Sequence, residues 1–118
     1  MENNLINRLF DFTVRTMRFM RSLPDNPENR VVRFQLAKSA SSCGANYEES
    51  QAGSSKADFI YKTEISLREM RESNYWLRII KATNNFSEGA DSVLIFLINE
   101  SEELKKILGS IVVKAKNS

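Results

Sequence analysis

From Leu5 to Leu23, apolar and small positions return at intervals of four and three: Leu5, Leu9, Phe12, Thr16, Phe19 and Leu23. That is the period of one helix face, and it predicts a helix over residues 4–22. The stretch "LPDNPEN" interrupts the pattern, with Pro24 after the stop and Asn26-Pro27 reading as an N-cap followed by proline in the first turn. A second helix over 27–51 would place Val32, Leu36, Ala40, Cys43 and Tyr47 on one stripe. After "AGSS", the run Ser55-Lys56-Ala57-Asp58 fits the capping box, in which a serine and an acid satisfy free amides at a helix start. Asp58 is thereby explained without catalysis. The third helix, 55–83, carries Phe59, Thr63, Ser66, Met70, Leu77 and Ile80 towards the interior. "NNFSEG" ends it, and Ser87 can cap a fourth helix over 88–115 with a heptad seam of Leu94, Leu97, Ser101, Leu104, Leu108 and Ile111. Short breaks between long helices make antiparallel neighbours the expected arrangement. The pattern predicts an all-α fold, an antiparallel up-down-up-down four-helix bundle, as a single domain over 1–118 without repeat or linker.

Two stretches depart from a plain amphipathic bundle. "KSASSCGANYEES", Lys38 to Ser50, is dense in serine, alanine, cysteine and glycine. A phosphate loop needs glycines at fixed offsets after a strand, and this run has one glycine and no strand before it. A nucleophile among Ser41, Ser42 and Cys43 would need a base within reach. Wrapped at 100° per residue, Ala40, Cys43, Gly44 and Tyr47 continue the stripe that Leu36 begins. The run reads as a thin helix face that lets a neighbouring backbone come close, compensating Gly44's helix-propensity cost of about 1 kcal/mol. The third helix departs in the other direction. Tyr61, Ile65, Trp76 and Ile79 lie opposite its core stripe, interleaved with Arg68, Glu69 and Glu72. The outer face of a bundle helix is normally polar, so this one is expected to be a subunit interface with ion pairs. Scattered surface apolars, or an extra neighbour within the subunit, would account for it otherwise. Phe34 and Ala45 on the outer side of the second helix add to the interface reading.

Composition narrows the chemistry. The chain of 118 residues contains no histidine, which removes the commonest general base and metal ligand. A lone cysteine, Cys43, excludes an internal disulfide and fits a reducing compartment. "MENNLINRLFDF" lacks a signal peptide's basic start and apolar run, and "SVLIFLI" falls far short of the ~20 residues of a membrane span. A cytoplasmic protein without membrane contact is expected, in which the sequons at Asn85 and Asn99 are accidental. Net charge is only +2. Residues 1–38 nevertheless hold seven cations (Arg8, Arg15, Arg18, Arg21, Arg30, Arg33 and Lys38) against four acids. They could be a solvated surface with ion pairs such as Asp11–Arg15, or a surface facing phosphates.

"SSCGANYEES" followed by "SSKADFIYKTEISLREMRESNYWLRII" resembles the four-helix-bundle family of 23S ribosomal RNA intervening-sequence proteins. The resemblance spans about 34–80. The family's S-x-x-A-N-x-x-E pattern falls on Ser42, Ala45, Asn46 and Glu49, its S-x-x-D-F element on Ser55, Asp58 and Phe59, and its later acid and leucine on Glu72 and Leu77. Ser50 stands where glycine is usual, and Arg68-Glu69 replaces the common Gly-Ser, which suggests a subgroup with a more charged outer face. The resemblance implies assembly into a homopentameric ring. Some members are encoded within insertions in large-subunit rRNA genes. A related protein, the accessory variability determinant of diversity-generating retroelements, binds a reverse transcriptase and nucleic acid through a basic ring surface.

The expectation that follows is a non-enzymatic homo-oligomeric scaffold, with no metal, cofactor or small-molecule substrate. It would contact RNA or a nucleic-acid-handling protein through basic surface, with Arg8, Arg15 and Arg18 as the contact residues. Because these arginines sit beside core-period aromatics, contact would be to phosphate and poorly sequence-specific. The alternative is a purely protein-binding adaptor. An enzyme is disfavoured, since Glu48, Glu49, Asp58, Glu69 and Glu72 have a spacing that suits caps and ion pairs better than acid–base work.

Overall fold

A computed structural model of the chain describes residues 4–53 and 55–118, and these form four α-helices: α1 (Asn4–Met20), α2 (Pro27–Gln51), α3 (Lys56–Thr83) and α4 (Glu88–Lys116). No strand occurs among the described residues. Local capping chemistry sets three of the starts. Asn26 accepts the Asn29 amide at 2.8 Å, Ser55 the Asp58 amide at 3.0 Å and Ser87 the Ala90 amide at 3.3 Å, each cap contributing about 1 kcal/mol. α1 stops at Met20, short of the 22 that periodicity suggests. The Ser22 and Leu23 amides turn back to the Phe19 and Met20 carbonyls at 3.0 and 3.2 Å. Arg33 of α2 then donates to the Leu23 carbonyl at 2.6 Å and adds a second bond, at 3.3 Å, to the Met20 carbonyl, so a guanidinium from the next helix braces the turn that ends α1.

Each helix packs on its neighbour in sequence, and α1 closes the ring against α4. The diagonal helix pairs approach only through side chains in the core, with no Cα atoms within 8 Å of each other among the described residues. The long dimension of 46 Å matches the length of a 29-residue helix, about 43 Å at the usual rise, so the helices lie along the long axis. Cross-helix pairs run in opposite order. Asn29 meets Asn84, Ser39 meets Ser73, Cys43 meets Ser66 and Glu49 meets Lys62. Likewise Arg8 meets Glu100, Arg15 meets Phe96 and Phe19 meets Phe86.

The stripes of α1 and α2 are buried almost throughout: Leu9, Phe12, Phe19 and Leu23 from α1 and the following turn, and Val32, Leu36, Ala40, Cys43 and Tyr47 from α2. They meet Met70, Leu77 and Ile80 of α3 and Leu94, Leu97, Leu104 and Leu108 of α4. At the end of α4 the seam passes to Val112, which is buried, while Ile111 is half-buried. A straight α-helix drifts against a strict heptad, and about five turns after Leu94 the inward position has moved one residue on. A polar seam runs through this core. Ser39 and Ser73 bond at 2.8 Å, Ser66 donates to the Cys43 carbonyl at 2.7 Å, and Asn74 donates to Ser101 at 2.8 Å. These small residues hold α2, α3 and α4 close and in register.

Candidate interaction surfaces

The "SASSCGAN" stretch forms the thin contact its composition suggests. The position of a Cβ on Gly44 lies 3.7 Å from Leu9 Cβ and 3.8 Å from Thr13 Oγ1, so α1 lies directly over it. Thr13 Oγ1 donates to the Ala40 carbonyl at 2.9 Å, tying the two backbones together. Cys43 is fully buried, and desolvation, opposed by the Ser66 hydrogen bond, pushes its thiol up to about 12. A thiol so protonated is inert. No group of three or more residues able to hold a metal occurs among the described residues. Among the described residues no helix is long and apolar enough to cross a membrane.

The residues matching the family pattern do local structural work. Asn46 donates to the Ser42 carbonyl and hydroxyl at 2.9 and 3.1 Å, and Ala45 is exposed. Ser55 caps α3, while Lys62 reaches both Asp58 at 3.4 Å and Glu49 at 3.7 Å, bracing the turn between α2 and α3. Phe59 is half-buried and Leu77 lies in the core. Ser50 is buried and donates to the Tyr47 carbonyl at 2.6 Å, so a hydroxyl is satisfied where glycine is usual.

Along α3, the proposed interface residues form one continuous face. Tyr61 is 62% exposed and Arg68 is exposed, while Ile65, Glu69, Glu72, Trp76 and Ile79 are half-buried. Trp76 and Ile79 lean onto the edge of the core. The Trp76 indole donates to Glu72 at 3.0 Å. Beside it, Glu69 has one carboxylate oxygen buried without a hydrogen-bond partner. Desolvation chiefly, and then the charge of Glu72, hold its carboxyl above the ordinary range, against the opposing pull of Lys38 and Arg68. Tyr75 joins this face, 47% exposed, edge-on to Trp76 and under the Arg78 guanidinium.

The three arginines of α1 share a face directed towards α4, and they differ in what they have left to offer. Arg8 donates Nε and Nη2 to the two Glu100 oxygens at 2.9 and 2.8 Å, and this hydrogen-bonded pairing raises its pKa. Arg15 pairs with Asp11 at 2.7 Å and lies 5.1 Å over the Phe96 ring. Arg18 is exposed and forms no ion pair among the described residues. Arg15 thus lies against an exposed aromatic of α4 that the periodicity of α1 alone does not reveal.

Two apolar surfaces escaped the sequence reading in whole or in part. Phe10 and Met17, a heptad apart on α1, stand exposed along the α2 side, Met17 beside Phe34 and Phe10 beside Ala45, with Phe10 64% and Phe34 66% exposed. A groove of about 490 Å³ runs there between Met17, Met20, Phe34 and the arginines 21, 30 and 33. Between α1 and α4 lies a second groove, of about 570 Å³, formed by Phe19, Val93 and Phe96 under Arg15 and Arg18. The seven-residue spacing of Phe10 and Met17 was a usable signal. The second groove had none, because its halves come from opposite ends of the chain.

The family model described as 23S rRNA-intervening sequence protein matches residues 1–110. A crystal structure of a protein of unknown function from the S23 ribosomal protein family of Bacteroides thetaiotaomicron is similar with a TM-score of 0.77 and 30% identity, covering 92% of this chain and 97% of that one. No curated protein sequence matches significantly.

Proposed function

The chain belongs to the 23S rRNA-intervening sequence protein family, and from that premise we propose that it is a cytoplasmic, non-enzymatic scaffold. In this reading an antiparallel up-down-up-down bundle assembles with copies of itself, five being preferred, and contacts RNA or a nucleic-acid-handling protein through repeated basic surface. The outer face of α3 carries the proposal. It presents half-buried Ile65, Trp76 and Ile79 and exposed Tyr61 beside the charges of Arg68, Glu69 and Glu72. A neighbouring copy packed there would cover the apolar side chains and pair the charges, as at a subunit interface. A closed ring needs two different faces per subunit, and the exposed Phe10, Met17 and Phe34 supply a second apolar one.

A single basic patch is weak. Repeated around a ring, it engages one polyanion several times and gains through multivalency. Binding of this kind falls with salt by a log–log slope of about −0.7 per phosphate contact on single strands. The purely protein-binding adaptor is the second reading. It is favoured by one observation, that Arg8 and Arg15 are already paired within the subunit. Light scattering at micromolar concentration tests assembly: a multiple of 13.5 kDa is expected, and Trp76→Asp is expected to lower it. A 13.5 kDa species for the parent would end the scaffold reading. RNA titration at two salt concentrations, with Arg8, Arg15 and Arg18 together changed to glutamine, separates the two readings. Salt-sensitive binding lost in the triple variant supports RNA contact, and no binding at low salt leaves the adaptor.

A further inference from the structure

We propose that the groove between α1 and α4 docks an amphipathic helical segment of a partner protein, one that carries acidic residues beside its apolar face. The floor is apolar where a bundle surface should be polar. Val93 and Phe96 each stand 44% exposed, next to Phe19 at the core edge. The wall is low at one end. A Cβ on Gly89 would have nothing within 4 Å, and Ala90 follows it. From Gly89 to Phe96 the groove runs about two turns, or about 11 Å. That length takes the side chains at i, i+4 and i+7 of an incoming helix, the recurring way in which an apolar stripe enters a groove.

Charge selects the occupant. The charged residues lining the groove are both arginines, Arg15 and Arg18. Arg15 shares its charge with Asp11, whereas Arg18 has no carboxylate of its own among the described residues. An acid on the incoming segment would complete that pair at the rim while its apolar face covers Val93 and Phe96. A nucleic acid strand fits less well. The Arg15 guanidinium already lies over the Phe96 ring at 5.1 Å, where a base would stack, and the rest of the floor offers little hydrogen bonding to a base edge. The inference does not depend on self-assembly through α3, because the groove lies on the α1–α4 side, and it assigns to an acidic protein segment the Arg15 and Arg18 that the RNA-contact reading also uses.

The test is selection from a displayed library of 15-residue helical peptides on the full chain, without counter-selection, the winners then being measured against the Phe96→Ala and Arg18→Glu variants. Both changes fall on exposed helix positions, and circular dichroism checks that each variant remains folded. Enriched peptides are expected to carry apolar residues at i, i+4 and i+7 with flanking Asp or Glu. A synthesised winner should lose at least about tenfold in affinity for Arg18→Glu, and exchanging its acids for lysine should restore binding to that variant. Winners without acids, or winners that bind both variants as well as the parent, would overturn the proposal. So would displacement of a winner by a single-stranded RNA whose own binding requires Phe96, which would assign the groove to nucleic acid. Val93→Asp altering the subunit number in sedimentation would assign it to self-assembly and overturn the proposal equally.

Discussion

Between α2 and α3, buried hydroxyls find partners: Ser39 on Ser73 at 2.8 Å, and Ser66 on the Cys43 carbonyl at 2.7 Å. On α1, Thr16 is buried as deeply, and its hydroxyl oxygen has none. The difference extends to the surface. Polar pairs tie α2 to α3 from Asn29–Asn84 to Glu49–Lys62, while α1 is held to α4 by a rim ion pair from Arg8 and leaves a groove beside Phe96. A satisfied polar seam fixes one register, since any slip strands its hydroxyls in apolar surroundings. An apolar seam with an orphan tolerates more adjustment. The bundle therefore has a specified side and a permissive side, and both grooves open along the permissive helix.

The largest expected effect comes from forcing bulk into the specified side. Ser66→Leu adds volume where two backbones are close and removes a satisfied bond, and should destabilise by about 3 kcal/mol in urea unfolding. A variant with the parent's midpoint would mean that the seam is not tight. Gly44 tests the contact between the two sides. Gly44→Leu should cost about 1–3 kcal/mol through collision with Leu9 and Thr13. Gly44→Ala should instead gain up to about 1 kcal/mol, because its Cβ meets them only at 3.7–3.8 Å, ordinary contact distance. If both variants melt below the parent, α1 lies closer than described.

On the permissive side, Thr16→Val removes the orphan hydroxyl at nearly constant shape and should stabilise by about 1 kcal/mol; a loss of stability would reveal a hidden partner. The smallest effect belongs to Glu69, at the outer edge of the specified side. Its carboxyl titrates above its unfolded value because burial and Glu72 oppose ionisation. The folded state therefore binds the proton more tightly than the unfolded chain does. That contribution is full below the ordinary value of 4.5 and is lost as pH rises through the raised one. Glu69→Gln should melt above the parent at pH 7, the gap closing by about pH 4. A gap independent of pH would remove ionisation as its cause.

The helices were legible because their punctuation is local. Asn26-Pro27, Ser55 with Asp58, and Ser87 each act within one turn of themselves, and the stripes they delimit point inward as the periodicity requires. The end of α1 was not legible, since it rests on a guanidinium from the next helix. Nor was the shift from Ile111 to Val112, which accumulates from a fraction of a turn per heptad. The outer face of α3 could be read because its residues share one helix. Arg8's engagement with Glu100 and Arg15's with Phe96 could not, because periodicity describes one helix at a time and these pairs join the first to the last. Asp11–Arg15, within a single helix, was readable and is present at 2.7 Å.

Trp76 is the chain's single tryptophan, half-buried on the outer face of α3 with its indole N–H held by Glu72. Its fluorescence is therefore a built-in gauge of one surface. An excited indole relaxes against the dipoles of nearby water, so covering that face shifts its emission to the blue and uncovering it shifts it to the red. No label is needed and no other residue of its kind confuses the signal. Dilution followed at this wavelength reads contact at α3, while any event confined to the α1–α4 groove leaves the colour of the light unchanged.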